Sequence, residues 1–194
     1  MSAAWLLLGS VLMAGSVLGW WLPAARFDWQ PQLAASEPWR AWTAAFVHWS
    51  PLHLGANLLA AAVVTAFGWA ARVPPAQALA WFVAWPLTHL GLLWQPALAH
   101  YGGASGVLHA GVAIASLWLM VAQRGQGLTR TRSVGAMVFT GLLVKLATEQ
   151  PWGPPLRQSD EFDIAVAPLA HATGALAGLC SGAIALIWRG RDRT

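Results

Sequence analysis

Ser105 heads an apolar stretch in the run Gly102-Gly103-Ala104-Ser105-Gly106, and His171 lies in another, followed by Gly174, Gly178 and Gly182. A serine hydroxyl is a poor nucleophile until a neighbouring base removes its proton. Imidazole is the side chain whose ordinary pKa lies near neutrality, which makes His171 a candidate for that base. A third apolar stretch opens with Pro51-Leu52-His53-Leu54-Gly55-Ala56-Asn57, in which His53 and Asn57, four apart, share one helical face. Both side chains could donate to the oxyanion formed when a peptide carbonyl is attacked. The backbone N–H of Ser105, near a helix N-terminus, would add another donor and the favourable end of the helix dipole. The chemistry this set predicts is acyl transfer.

Each residue also has a plainer role. A serine in a membrane helix commonly bonds back to a carbonyl of the preceding turn. A lone membrane histidine is often a packing contact, and Gly-xxx-Gly-xxx-Gly is first a stripe that lets two helices approach closely. The case rests on coincidence: three apolar segments offer polar groups near the same end. The glycine stripe would bring the His171 helix against Gly106 and Ala110, close enough for a short serine side chain to reach an imidazole.

The elements that must position these groups follow from composition. Hydrophobic residues make up 57% of the 194 residues and charged residues 9%, against roughly 25% charged in a soluble domain. So little charge cannot cover a water-facing surface, and the expected fold is an all-α membrane protein. Six apolar segments stand out, at about 4–22, 51–70, 76–94, 105–121, 133–149 and 168–188. Each approaches the roughly 20 residues needed to cross a bilayer, so the chain reads as a six-transmembrane-helix bundle in one domain, residues 1–194. No Lys or Arg precedes the first segment, which argues for a retained span over a cleaved signal peptide.

With the N-terminus in the cytoplasm, the cytoplasmic connections hold Arg72, Arg124, Arg130, Arg132, Arg189, Arg191 and Arg193. The opposite side holds Arg26, Arg40 and Arg157, with Lys145 near it. Seven against three or four is the bias of the positive-inside rule, with both termini cytoplasmic. Asp28, Glu37, Glu149, Asp160, Glu161 and Asp163 fall outside and Asp192 inside. The formal charge of +4 does not mark a nucleic-acid binder, because the basic residues sit in short connections without an aromatic-basic face. The stretch from Pro23 to Ser50, with Trp29, Trp39, Trp42 and Trp49, is expected at the headgroup interface. The loop 150–167, rich in Pro, Gly and charge, is expected to be the more mobile one. Cys180, the only cysteine, excludes an internal disulfide, and the histidines lack a thiol or carboxylate set for a metal.

These residues together resemble the rhomboid family of intramembrane proteases. Trp39-Arg40 is similar to its Trp-Arg signature, and His48, His53 and Asn57 to its His…His…Asn pattern. Gly103-Ala104-Ser105-Gly106 is similar to its Gly-x-Ser-Gly motif, and Ala170-His171 through Gly174 to Gly178 to its Ala-His-x-x-Gly-x-x-x-Gly motif. The resemblance runs from about residue 39 to 182 and implies an endopeptidase with a Ser105–His171 dyad and no acidic third member; no carboxylate is expected to be placed as one. It implies entry of a membrane-anchored, single-span substrate from the lipid side and water reaching the dyad through an outward-open cavity. It implies no cofactor or metal, and Trp39, Arg40, His48, Gly103, Gly106, Gly174 and Gly178 as supports of the site.

His109, four residues after Ser105, departs from the aromatic residue that many rhomboids carry there; it could replace that packing or serve as a second base. The minimal frame, Ser105-Gly106-Val107-Leu108-His109, and Lys145 with Glu149-Gln150 resemble the bacterial branch called rhombosortases. That branch implies a bacterial inner-membrane enzyme and exported substrates with a C-terminal Gly-Gly motif, an apolar span and a basic tail. Lys145 and Glu149, four apart, could pair, as a plain interfacial ion pair or as part of substrate recognition. Alternatives are a general rhomboid protease, a catalytically silent membrane-protein binding factor, and a small transporter. Intact Ser105 and His171 argue against the second. The absence of internal symmetry argues against the third.

Overall fold

A computed structural model describes residues 3–121, 128–158 and 163–191. Arg124, Asp160, Glu161, Asp192 and Arg193 lie outside the described residues. Seven α-helices occur among those described, and no strands. They are α1 (Ala3–Gly19), α2 (Arg40–Thr43), α3 (Pro51–Ala70), α4 (Pro75–Leu90), α5 (Ser105–Val121), α6 (Leu128–Glu149) and α7 (Pro168–Arg191). α2 is a single turn in the α1–α3 connection; each of the others overlaps one of the apolar segments, α1 stopping at Gly19 and α4 at Leu90.

Proline and capping chemistry set several boundaries. Pro51, Pro75 and Pro168 each open a helix, where a missing N–H leaves no hydrogen bond unmade. Ser50 caps α3 by accepting from the His53 N–H at 3.0 Å. α3 ends where Arg72 turns left-handed, φ 52°. The Val73 N–H then reaches Gly68 O and the Arg72 N–H reaches Trp69 O, both at 3.0 Å, which satisfies two terminal carbonyls. Gln150, φ 53°, closes α6 similarly ahead of Pro151.

α3, α7 and α4 continued by the 3-10 turn Gly91–Trp94 are long and apolar enough to cross a membrane. α1 and α5 are apolar but 17 residues long, about 26 Å against a hydrocarbon core of roughly 30 Å. α6 starts five residues before the expected 133, so Arg130 and Arg132, expected in a connection, lie on the helix. The apolar pattern stops at Ser133, but arginine is a good helix former and carries the hydrogen-bond ladder beyond the apolar stretch. α7 likewise runs three residues past Trp188.

α5 is the axle of the bundle. It packs against α3, α4, α6 and α7, and Gly106, Val107, Ala110, Ala113, Ile114, Ala115 and Leu119 are buried around its circumference. Small residues make the closest crossings. A Cβ on Gly174 would stand 1.9 Å from Gly106 O, and one on Gly178 would stand 2.5 Å from Ala110 O. Polar tips inside the bundle bond across helices: Trp81 Nε1 donates to Val107 O (2.8 Å) and Gln77 Nε2 to Gly182 O (3.0 Å). Leu59, Val63, Leu79, Met137, Val144, Ile184 and Ile187 point outward and form an apolar girdle.

The α1–α3 connection corrects one expectation. Trp39 and Trp49 are exposed as an interfacial belt requires, but Trp29 is 0% exposed. It packs with Leu92, Leu98, Tyr101 and Ala170 in a second core above α5, and its backbone forms a two-way bridge with Tyr101. Side-chain packing inside the protein outcompetes the headgroup region for that ring.

Candidate active site

Three helix starts and one helix end converge on one side of the bundle. Ser105 is the first residue of α5, His171 lies in the first turn of α7, His53 and Asn57 in the first two turns of α3, and Glu149 ends α6. The approach of Gly174 to Gly106 draws α5 and α7 together just below, and His171 Nε2 stands 2.9 Å from Ser105 Oγ. Ser105 therefore faces a base instead of bonding back to its own helix. The imidazole is 7% exposed, walled on one side by His109, whose ring stacks on it at 4.2 Å and 11°. His109 is itself held by Nδ1 donating to Ser105 O at 2.7 Å. That bond fixes the ring as a platform beneath His171.

His171 Nδ1 lies 2.7 Å from Glu149 Oε2. This corrects the expectation that no carboxylate is placed to be a third member beside the imidazole. Glu149 pairs with Lys145 as the i,i+4 spacing suggests, but a carboxylate has two oxygens, and the second is free to turn toward α7. Arg157 Nη1 donates to Glu149 O at 2.7 Å and steadies the end of α6.

Gly103 carries the turn into α5 with φ 121°, a left-handed value that favours glycine. A Cβ there would lie 2.7 Å from His53 Nε2, so the absent side chain also lets His53 close on the loop beside Ser105. Trp49 stacks near His53 at 6.4 Å and 13°, and His48 lies at 4.8 Å. Asn57 Nδ2 donates one hydrogen to His53 O at 2.9 Å and has a second to offer. His53, Asn57, Ser105, His109, Lys145, Glu149 and His171 line one cavity of about 700 Å³. Among the described residues no three His, Cys, Asp or Glu side chains are grouped as metal ligands.

The remaining sequence-predicted residues stand back from the cavity. Arg40 is buried in the α1–α3 connection, bonded to Asp28 (3.1 Å), Glu37 (2.6 Å) and the carbonyls of Ala25 and Asp28. Trp39 beside it is exposed. His48 Nδ1 lies 3.2 Å from Phe46 O, and burial pushes its pKa down to about 4. Gly178 serves the α5–α7 crossing.

Sequence reasoning missed Tyr101 and His100. The Tyr101 hydroxyl is 3.5 Å from Ser105 Oγ and 3.4 Å from Gly103 O, and burial raises its pKa. His100 lines the cavity and reaches Asp28 at 2.6 Å, tying the Arg40 network to the site. The only available signal was that Tyr101, the single tyrosine, stands four residues before Ser105. Ser50 Oγ donates to Asp163 at 2.6 Å and joins the start of α3 to the α6–α7 connection. The Arg157–Val166 bridge closes that connection on itself.

A hydroxyl within reach of a sheltered imidazole can surrender its proton as the oxygen attacks an electrophile. Residues 35–188 match the family model described as Rhomboid domain. A comparison with curated proteins found no match.

Proposed function

Because the chain belongs to the rhomboid family, we propose that it is an intramembrane serine endopeptidase in which Ser105 is the nucleophile and His171 the general base. The family places it among integral membrane proteins that act on membrane-embedded substrates. The single observation that carries the assignment of residues is the 2.9 Å approach of His171 Nε2 to Ser105 Oγ.

Ser105 Oγ attacks the scissile carbonyl carbon while its proton passes to His171 Nε2. The oxyanion accepts from the Ser105 N–H at the head of α5, from His53, and from the second Nδ2 hydrogen of Asn57. The intermediate collapses as His171 returns the proton to the leaving amine. Water, deprotonated in turn by His171, hydrolyses the acyl-enzyme. His109 holds the imidazole plane from below.

We read α1 and α3–α7 as six spans of one domain, residues 1–194, in a bacterial inner membrane with both termini cytoplasmic; the excess of arginines in the sequence toward one end of these helices and their connections supports this. A Ser105 below the outer surface is supported by the shortness of α5, about 26 Å against a hydrocarbon core of roughly 30 Å. The rhombosortase reading, removal of a C-terminal Gly-Gly, apolar span and basic tail from an exported protein, is supported by Lys145, Glu149 and Gln150 at the cavity end of α6. A general rhomboid protease of other single-span substrates is the alternative.

The test is labelling by a fluorophosphonate serine-hydrolase probe, paired with cleavage of a membrane-anchored reporter. Wild type is expected to label and cleave, and Ser105→Ala and His171→Ala to do neither while still inserting. Cleavage at the wild-type rate by Ser105→Ala ends the assignment. A reporter bearing the Gly-Gly tail, set against a generic single-span reporter, separates the two substrate readings.

A further inference from the structure

We propose that Glu149 is a positioning residue for His171, so that the catalytic set is a Ser–His–Glu triad and not a dyad. The proposal rests on the assignment of Ser105 and His171 above.

A carboxylate accepts and cannot donate, so Glu149 Oε2 at 2.7 Å requires that His171 Nδ1 carry a hydrogen. The neutral imidazole has one N–H, which leaves Nε2 as the lone-pair nitrogen facing Ser105 Oγ at 2.9 Å. Glu149 thereby selects the tautomer that general-base catalysis needs. When Nε2 takes the serine proton the ring becomes an imidazolium, and the carboxylate stabilises the new charge without itself taking a proton.

Three anchors aim the carboxylate. Lys145 holds Oε1, Arg157 Nη1 holds the backbone oxygen of Glu149 at 2.7 Å, and the left-handed Gln150 stops α6 at that residue. The charged and titratable groups that face the imidazole are Glu149 and, through it, Lys145 on α6, His109 on α5, and His53 on α3. Only Glu149 among them bears negative charge. Its side chain is 23% exposed and already shares charge with Lys145. The expected contribution therefore sits at the low end of the 10²- to 10⁴-fold typical of positioned proton transfer.

The test compares Glu149→Gln and Glu149→Asp in the full chain, reading kcat and KM on the reporter that wild type cleaves. Expected is a fall in kcat of about 10²-fold in E149Q with KM changed less than about twofold, and partial recovery in E149D. A kcat for E149Q within about twofold of wild type, a loss carried by KM, or an E149D variant no better than E149Q each overturns the proposal. Ser105→Ala run alongside separates the two failures. If S105A is inactive and E149Q is not impaired, the positioning role falls and the nucleophile stands; if S105A still cleaves, the underlying assignment falls first.

Discussion

Gly174 of α7 and Gly106 of α5 meet backbone to backbone, so closely that a Cβ on Gly174 would fall 1.9 Å from the Gly106 carbonyl oxygen. This crossing lies at the residue next to the serine on α5 and three residues, about one turn, after the histidine on α7, and it sets their separation. Substituting Gly174 by alanine must push the helices apart, because neither backbone can yield as a flexible side chain could. We expect G174A to lose about 1–3 kcal/mol of stability, as overpacked sites do, and to lose probe labelling. Gly141, whose Cβ would meet nothing within 4 Å, is the control: G141A should label like wild type. Equal labelling of G174A and wild type would refute the crossing as the spacer.

Gly103→Ala should remove activity by a separate route. The residue sits at φ 121°, which costs an L-residue roughly 1–3 kcal/mol, and the new methyl meets His53 Nε2 at 2.7 Å. The expected outcome is a protein that inserts but labels at least tenfold more slowly. Labelling at the wild-type rate would show that the loop before α5 tolerates the change.

Asn57→Ala removes the donor proposed for the oxyanion without touching Ser105 or His171. Loss of one such donor typically lowers kcat by about 10²–10³, with KM nearly unchanged because the interaction strengthens only in the transition state. Steady-state kinetics on the reporter decide it; a change confined to KM argues against the role.

Arg40→Ala leaves Asp28, 2% exposed, without the guanidinium that accompanies it inside the α1–α3 connection. Breaking a buried pair from one side costs about 3–5 kcal/mol. Thermal unfolding in detergent should show R40A well below wild type; an unchanged midpoint would mean that His100 and Gln30 suffice for the carboxylate.

The pH dependence of stability should carry a His48 component. Its pKa is about 4 in the folded protein against 6.5 ordinarily, so below pH 6.5 the unfolded chain binds a proton that the folded one refuses. The neutral ring's contribution is fully present above pH 6.5 and lost progressively as pH falls toward 4. Unfolding midpoints measured from pH 7 to 4 should fall less steeply in His48→Gln than in wild type. Parallel curves would exclude the effect.

Much of the architecture was legible beforehand because it is a local matter. Apolar runs of about 20 residues mark membrane helices, and Pro51 and Ser105 start theirs where the pattern predicts. Trp29 reads as interfacial by residue type, yet the ring is enclosed because Tyr101, 72 positions away, bridges its backbone. The apolar stretch from about 133 is only part of α6, because apolarity reports the stretch suited to lipid, whereas the hydrogen-bond ladder continues through Arg130 and Arg132.

Residue order by itself determined the solvent, the helical segments, and which side chains were chemically able to form a site: a hydroxyl heading one helix, an imidazole and glycine stripe in another, an amide and imidazole in a third. Only the tertiary structure decided which partner each side chain meets. Glu149 reads as the mate of Lys145 in the chain, four residues off, and the fold adds His171 to its other oxygen. The physical reason is that periodicity specifies the buried face of a helix. The rotation and axial height of one helix against its neighbour, to the ångström that a hydrogen bond requires, come from how Gly174 settles on Gly106 and from every contact packed around them.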